Sequence, residues 1–368
     1  MSGLYIHIPF CRQKCRYCDF ASFAGAEGLT DDYLSALEKE ASFCPSFAAE
    51  TLYIGGGTPS LLSAAQLEKL CSLIARSFAP LGTFRESTLE ANPESLTKEK
   101  LRLLKDAGLN RLSLGLQSFD DGVLKRIGRV HDVKTFLSAY GAAREAGFDN
   151  ISVDLIAGLP GQTKEIFLQG LKKLTDLKPE HISVYGLQVE EGTPFYKEGV
   201  QADEDLLRAE LEETHRLLQA AGYVHYEISN FALPGRESRH NLNYWQNGEY
   251  LGLGSAAASY LNGVRRSNVP DVREYLRRIA AGENPAEFAE KLTGKAKEGE
   301  AVMLGLRMLG GVRLSDVQKR FFSGEIRDLV RRGLVEQNGD FIKLTFEGIF
   351  LANQAFMAFV GPFEEACR

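Results

Sequence analysis

A recurring joint between helix and strand constrains the fold of this chain more than any other feature. The segments DAGLNRLSL, EAGFDNISV and AAGYVHYEIS each end a helical pattern at a glycine, namely Gly108, Gly147 and Gly222, and then enter an apolar run. Glycine readily adopts the left-handed conformation that ends a helix. A repeated helix-to-strand joint predicts alternating elements that pack as a parallel sheet with right-handed crossovers.

The apolar runs and the amphipathic stretches between them define six repeating units. The predicted strands are Leu4–Ile8, Thr51–Ile54, Ser87–Ala91, Arg111–Leu116, Ile151–Ile156 and His181–Leu187. The predicted helices are Asp31–Phe43, Ala64–Phe78, Lys98–Ala107, Val133–Ala146 and Glu165–Leu177. The pattern predicts a capping box of Ser63 with Gln66 and N-cap positions at Thr97 and Thr163. Six units are too few for an eight-stranded closed barrel, so we predict an open, partial (β/α)6 barrel, with a doubly wound sheet as the alternative.

The alternation stops after about residue 260, which predicts a second domain. We expect residues 1–265 to form the α/β domain, 266–297 a helical linker, and 298–368 a small helical, winged-helix-like domain. The stretch VEQNGDFIKL predicts a hairpin that turns at Asn338-Gly339. Winged-helix domains often bind nucleic acid, but the acidic chain favours a packing or lid role here.

The composition limits which partners and which cellular compartment we expect for this chain. The formal net charge of −6 argues against nucleic acid or an anionic membrane as the main partner. We find no apolar run of the ~18 residues that a membrane span needs. The opening MSGLYIHIPFC lacks the basic and then apolar pattern of a secretory signal. We therefore expect a cytoplasmic protein that does not bind nucleic acid.

Three of the six cysteines form a cluster directly after the first predicted strand. Cys11, Cys15 and Cys18 have the spacing C-x3-C-x2-C, whereas Cys44 and Cys71 are expected to be small buried apolar side chains. Zinc could take the three thiolates together with His7. A redox pair of Cys15 and Cys18 would leave Cys11 without a role. An iron–sulfur cluster held by three thiolates would keep one iron open to an outside ligand.

Further polar residues follow the later strands. A glycine-rich turn, Gly55-Gly56-Gly57-Thr58-Pro59, comes after the second strand, and glycines there let a ligand reach backbone groups. Glu90, Gln117 and Asp154 lie at the ends of the next three strands, and Arg129 could pair with a carboxylate there. Because the carboxyl ends of parallel strands open onto one face, these residues predict a ligand-lined site.

The cysteine spacing, with Tyr17 before the third cysteine, resembles the radical S-adenosylmethionine (SAM) superfamily. The resemblance implies a [4Fe-4S] cluster held by Cys11, Cys15 and Cys18, with SAM chelating the open iron. Reductive cleavage of SAM to a 5′-deoxyadenosyl radical is the chemistry typical of the superfamily. The positions that match SAM contacts are Tyr5, Gly56, Gly57, Thr58, Glu90, Gln117, Arg129 and Asp154, and Tyr17 matches the aromatic residue of the cluster loop.

Nearly the whole chain resembles one branch, the oxygen-independent coproporphyrinogen III oxidases and the related haem chaperones of the HemW type. The oxidases carry one more cysteine two positions after the third, where this chain has Phe20. They also carry an extended segment before the first strand, whereas Tyr5 here lies four residues from the start. Both departures weigh against decarboxylase activity.

The segment RHNLNYWQNGEY matches the H-N-x-x-Y-W motif of the chaperones. His240, Asn241, Tyr244 and Trp245 occupy the motif positions. Imidazole is a common haem ligand, and Tyr and Trp offer flat faces to a porphyrin. The alternative is an ordered loop in which His240 bonds the backbone and Trp245 packs in the core.

The resemblance therefore predicts a haem chaperone, with His240 as a ligand of the haem iron. The expected partners are haem and a haem-acceptor protein of respiratory or membrane-associated kind. We also expect a second copy of the chain to bind when the cofactors are loaded. The rival hypothesis is a radical SAM enzyme that acts on a tetrapyrrole, either as a coproporphyrinogen decarboxylase or as a methyltransferase.

Overall fold

The computed structural model describes residues 1–361, so Cys367 lies outside the described residues. The strands are β1 (Ser2–Ile8), β2 (Phe10–Cys11), β3 (Phe23–Ala24), β4 (Thr51–Gly56), β5 (Glu86–Ala91), β6 (Arg111–Gln117), β7 (Ile151–Ala157), β8 (His181–Gly186), β9 (Val224–Glu227), β10 (Asn230–Ala232), β11 (Glu249–Leu253), β12 (Ala258–Leu261), β13 (Val264–Asn268), β14 (Ala286–Glu290), β15 (Val312–Arg313), β16 (Val335–Asn338) and β17 (Phe341–Leu344). The helices are α1 (Thr30–Phe43), α2 (Ala64–Ser77), α3 (Lys98–Asp106), α4 (Asp121–Arg126), α5 (Val133–Glu145), α6 (Lys164–Leu177), α7 (Pro194–Lys197), α8 (Glu204–Ala220), α9 (Arg239–Trp245), α10 (Val272–Ala281), α11 (Gly294–Leu306), α12 (Asp316–Arg331), α13 (Phe346–Phe350) and α14 (Ala352–Met357).

Six parallel strands form the centre of the main sheet. β1, β4, β5, β6, β7 and β8 lie side by side in chain order. The two outer members do not pair with each other, because β1 continues to β11 and β8 to the antiparallel β10. The sheet therefore stays open, and the predicted partial barrel is confirmed.

Local signals in the sequence place the repeating units. Ser63 and Gln66 exchange the two hydrogen bonds of a capping box, and Thr97 and Thr163 cap α3 and α6. All six predicted strands and all five predicted helices are present, with ends that coincide or differ by at most two residues. Strand residues such as Leu52 and Leu112 are fully buried, because helices cover the outer face of the sheet.

The sheet extends further than the sequence patterns predict. After β11, the strands β12, β13 and β14 continue it as antiparallel neighbours. The segment 266–297, expected to be a helical linker, contains helix α10 but also the edge strand β14. Most of β14 is exposed, so it lacks the apolar alternation that marks a half-buried strand.

The C-terminal residues form their own core. Helices α11, α12 and α14 pack with a three-stranded antiparallel sheet around buried residues that include Phe322 and Ile342. The hairpin of β16 and β17 is present, and Gly339 in its turn has a φ of +59°. In the part of the chain that the structure describes, no helix has the length and apolar character needed to cross a bilayer.

Candidate functional site

The carboxyl ends of the parallel strands surround a cavity of about 290 Å3. Most of the residues predicted from the sequence line it together: Cys11, Cys15, Tyr17, Cys18, Gly56, Gly57, Thr58, Glu90, Gln117, Arg129 and Asp154. Asn241 of the H-N-x-x-Y-W motif lines this cavity as well. The structure therefore places these scattered positions around one cavity.

The cysteine loop begins at β2, which follows β1 after one residue. Cys11 is buried at the end of β2, and its Sγ lies 3.4 Å from Thr58 Oγ1. A short turn follows, in which the amide of Cys18 donates to the carbonyl of Cys15 over 3.2 Å. Burial raises the pKa of the Cys11 and Cys18 thiols. A cationic cluster would overcome this effect, because metal binding deprotonates a coordinating thiol.

A zinc site built on the three cysteines would need His7 as its fourth ligand. Among residues 1–361, no three His, Cys, Asp or Glu side chains are gathered tightly enough to hold one metal ion. Zinc needs all its ligands about 2.0–2.3 Å from a single point, whereas a [4Fe-4S] cluster takes its thiolates on different irons. His7 is engaged elsewhere, because Tyr5 Oη lies 2.9 Å from its Nδ1 and the carbonyl of Ala21 lies 2.8 Å from its Nε2.

The glycine-rich turn is held by a buried carboxylate. Glu90 accepts hydrogen bonds from the amide of Gly56 at 3.0 Å and from Tyr53 Oη at 2.7 Å. Gly56 has a φ of +109°, and a Cβ there would lie 2.5 Å from the His7 ring, so only glycine fits. Burial raises the pKa of Glu90 to about 7. Glu90 therefore acts at least partly by fixing the backbone that lines the cavity.

Arg129 joins the cluster loop to two strand ends. Its Nη2 donates to Asn92 Oδ1 and to the carbonyl of Gly115, both at 2.7 Å, and its Nη1 lies 3.6 Å from Cys15 Sγ. Its Nε is buried and has no hydrogen-bond partner in the protein. A buried donor without a partner is costly, so this atom favours an acceptor from a bound ligand.

Gln117 and Asp154 complete the rim from neighbouring strands. Gln117 adopts a φ of +71°, next to a register irregularity between β6 and β7. A non-glycine residue in this region is strained and often marks a functional site. Asp154 accepts from Ser113 Oγ at 3.3 and 3.4 Å, and burial raises the pKa of its carboxyl group.

Sequence reasoning missed several polar residues of the cavity. Asn92 follows β5 and could have been found by the same strand-end rule. Arg111 and His181 begin β6 and β8, so they enter the cavity from the opposite ends of the strands. The argument from carboxyl strand ends does not identify residues at the opposite ends of the strands, and no local sequence pattern marks them.

Tyr5 is separated from the other predicted SAM residues. It lines a second cleft, of about 700 Å3, which lies between the β1 side of the sheet and helix α11. Tyr244 and Trp245 of the H-N-x-x-Y-W motif line this cleft too. Asp19 and Phe20, which follow Cys18, line both the cavity and the cleft.

His240 faces neither space. Its ring is 1% exposed and stacks on Tyr53 at 5.2 Å between ring centroids. Nδ1 lies 2.9 Å from Thr51 Oγ1 and Nε2 lies 2.8 Å from Tyr244 Oη. Burial lowers the pKa of His240 to about 3, so the imidazole is neutral. This geometry departs from the expectation of a haem-iron ligand, because both ring nitrogens are already hydrogen-bonded inside the protein.

Two family models match the chain. The model of the radical SAM superfamily matches residues 5–174, and that of the HemN C-terminal domain matches residues 292–351. The solved structure of coproporphyrinogen III oxidase (HemN) from Escherichia coli, described as a radical SAM enzyme, is 26% identical with a TM-score of 0.86. That match covers 98% of this chain and 90% of the oxidase.

Relatives named haem chaperone HemW are more similar in sequence. The Bacillus subtilis protein is 40% identical over 98% of this chain and 100% of its own length. The Lactococcus lactis protein is 38% identical over 98% of this chain and 97% of its own length. On this similarity, which extends through both domains, the chain belongs to the HemW family of the radical SAM superfamily.

Proposed function

We propose that this chain binds haem and transfers it to an acceptor protein, and that it carries a [4Fe-4S] cluster and SAM. The observation that carries the proposal is the match to proteins named haem chaperone HemW over nearly the full length of both chains. Haem is the cargo in this proposal, and the cluster and SAM are resident cofactors.

Cys11, Cys15 and Cys18 are the proposed cluster ligands. Such a cluster would supply an open iron for SAM and would accept an electron. Three free thiols on one cavity support the assignment. Arg129 Nη1 lies 3.6 Å from Cys15 Sγ, so a positive charge stands beside this proposed cluster ligand.

The SAM site is proposed to lie along the rim of the same cavity. Glu90 holds the Gly56 turn open, Arg129 presents its unpartnered Nε, and Asp154 offers a carboxylate whose bonds to Ser113 are long. SAM carries an amine, a carboxylate and ribose hydroxyls, which such donors and acceptors would bind. Thr58, Gly57 and Gln117 complete the proposed contacts.

The main alternative is an oxidase-like radical enzyme, and the fold shared with coproporphyrinogen III oxidase favours it. Phe20, two positions after Cys18, argues against this alternative. The oxidases carry a further cysteine at the position that Phe20 occupies in this chain. Phe20 is 64% exposed. A phenyl ring offers no thiol at this position, so the further cysteine of the oxidases has no counterpart here.

One sample can test the proposal. The protein would be reconstituted anaerobically, its iron counted, and then divided between a haem titration and an assay with coproporphyrinogen, SAM and a reductant. We expect about four cluster irons and one haem per chain, and no decarboxylation. Formation of protoporphyrinogen with cleavage of SAM would support the enzyme instead.

A further inference from the structure

The cofactor cavity contains a buried positive charge at its floor, the end that lies at the amino ends of the strands. Arg111 lines the cavity from the start of β6 and is 2% exposed. Its Nη1 lies 3.5 Å from Thr88 Oγ1, and its buried Nε has no hydrogen-bond partner in the protein. Among the residues that the structure describes, it forms no ion pair. A buried guanidinium of this kind is costly unless other charges compensate it.

The alternation of β6 explains how this side chain reaches the cavity. Every second residue of a strand points to the same face of the sheet. The residues of this strand that line the cavity are two positions apart: Arg111, Ser113, Gly115 and Gln117. The residues between them are fully buried leucines. Because Ser113 and Gly115 are small, the cavity extends past them down to the guanidinium.

Two carboxylates face the same cavity from the neighbouring strands. Glu90 of β5 is paired with Ser113 in the register of the sheet, and Asp154 of β7 is paired with Gly115. Arg111 therefore lies one inward-facing position below Glu90 and two below Asp154. One cation and two carboxylates share an enclosed space, although the cation forms an ion pair with neither of them.

The other titratable groups at the floor are neutral or already bonded. His181 hydrogen-bonds through both ring nitrogens, and burial beside Arg111 lowers its pKa. Burial lowers the pKa of His240 as well. Glu86, at the start of β5, accepts hydrogen bonds from backbone amides at the start of α9. Two further cations line the cavity, but both lie on loops near its mouth: Lys14 and Arg129.

Burial and the surrounding groups act in opposite directions on the two carboxylates. Burial raises the pKa of Glu90 to about 7 and also raises that of Asp154. Hydrogen bonds from Tyr53 and Ser183 oppose this rise, and so does the positive charge of Arg111. Burial raises the pKa of the tyrosines that interact with Glu90, so they stay neutral: Tyr5, Tyr53 and Tyr185. Without a cation at the floor, both carboxyl groups would be more fully protonated at neutral pH.

We propose that Arg111 is a positioning residue of the cofactor cavity, whose charge keeps Glu90 and Asp154 ionised. The inference rests on the proposed function, because it assumes that SAM occupies this cavity. Ionised Glu90 holds the Gly56 turn, and ionised Asp154 is an acceptor for the donors of SAM. A protonated carboxyl group donates through one oxygen and is a weaker acceptor. Arg111 acts on both across the cavity, because charges in a protein interior are screened less than in water.

The test follows the affinity for SAM as a function of pH. SAM would be titrated calorimetrically into anaerobically reconstituted wild type and Arg111→Met between about pH 6 and about pH 9, with iron counted in each sample. Wild-type affinity should fall as pH drops below about 7, the pKa of Glu90. The fall should begin about one pH unit higher or more in Arg111→Met, because a nearby opposite charge lowers a carboxyl pKa by ~1–3 units. Near neutral pH, the variant should therefore bind SAM about tenfold more weakly or worse, and near pH 9 it should approach the wild type.

Three further variants separate the charge of Arg111 from its shape. Arg144→Met removes an arginine that pairs with Glu180 outside the cavity, so it should lower the melting temperature and leave the pH profile unchanged. Thr88→Val removes the hydroxyl beside Arg111 Nη1 but keeps the charge, so it should also keep the profile. Arg111→Lys should restore most of the wild-type profile, and it decides the question if Arg111→Met does not fold. SAM's own groups titrate in every sample, so the comparison is between proteins.

The outcomes distinguish this inference from the proposed function. Wild type that takes up iron but binds no SAM would overturn the proposed SAM site and this inference with it. Wild type that binds SAM, with Arg111→Met showing the same pH profile, would overturn the inference alone. An equal loss of affinity at every pH in Arg111→Met would also overturn it, because the arginine would then shape the cavity rather than charge it. A folded Arg111→Lys protein whose profile is shifted by a full pH unit would refute it as well.

Discussion

Replacing Asp154 by Asn gives a sharp test of the cofactor cavity. The substitution keeps the shape of the side chain and removes its charge. Burial already raises the pKa of this carboxyl group, so the folded protein gains little from the charge itself. The variant should therefore remain folded, and any loss of SAM binding would reflect a lost contact with the ligand.

The size of the effect follows from the hydrogen bonds around Asp154. Its oxygens lie 3.3 and 3.4 Å from Ser113 Oγ, which are long distances for a charged acceptor. Ser183 bonds the carboxylate too, and a carboxylate, with about four acceptor sites, keeps capacity for a ligand beyond these two hydroxyls. A hydrogen bond to a charged group contributes about 1.5–3 kcal/mol. Loss of one such bond corresponds to about a 10- to 150-fold weaker SAM affinity.

The assay is calorimetric titration of SAM into anaerobically reconstituted protein, with iron counted in the same sample. Ser113→Ala is the matched control, because it removes the neighbouring hydroxyl and keeps the carboxylate. We expect the control to change affinity only a few-fold. An Asp154→Asn protein with full iron content and wild-type SAM affinity would show that Asp154 has a structural role and refute the proposed contact.

Further predictions concern the cysteines and one buried acid. Cys15→Ser should lose most of the reconstituted iron, whereas Cys44→Ser and Cys71→Ser should keep it, as chemical iron analysis would show. Burial raises the pKa of Glu210 to about 7. The protonated Glu210 carboxyl group therefore contributes fully to the free energy of unfolding below the unfolded-state pKa of about 4.5. This contribution is lost as pH rises through about 7. Glu210→Gln should raise the melting temperature at pH 8.5 more than at pH 5.5; an equal change at both would contradict this reasoning.

Local sequence patterns predicted the central barrel well because each unit carries its own signals. Helix caps at Ser63, Thr97 and Thr163 and glycine stops after the helices act within a few residues of the chain. Residues at carboxyl strand ends then converge through the topology of a parallel sheet. Most of the candidate cofactor site could be predicted for that reason.

What could not be predicted depends on long-range pairing. β11 joins the sheet by pairing in parallel with β1, more than 240 residues earlier in the chain, for example Ser2 with Glu249. The interpretation of 239–250 as a motif loop missed helix α9 and this strand. It therefore missed the contact between His240 and Tyr244 and the burial of the histidine. Tyr5 was assigned to SAM by its motif position, and it lines the other cleft while stacking on Tyr53 of the cofactor cavity.

Haem delivery is the central claim, and assays of the two functions on parallel aliquots of one anaerobic preparation test it most directly. Reconstituted protein with SAM and reductant would receive haem, then an apo-haem protein as acceptor, while a parallel aliquot receives coproporphyrinogen. We predict uptake of about one haem per chain, its appearance in the acceptor, and unchanged coproporphyrinogen. Conversion of coproporphyrinogen to protoporphyrinogen, with no haem passed to the acceptor, would contradict the account.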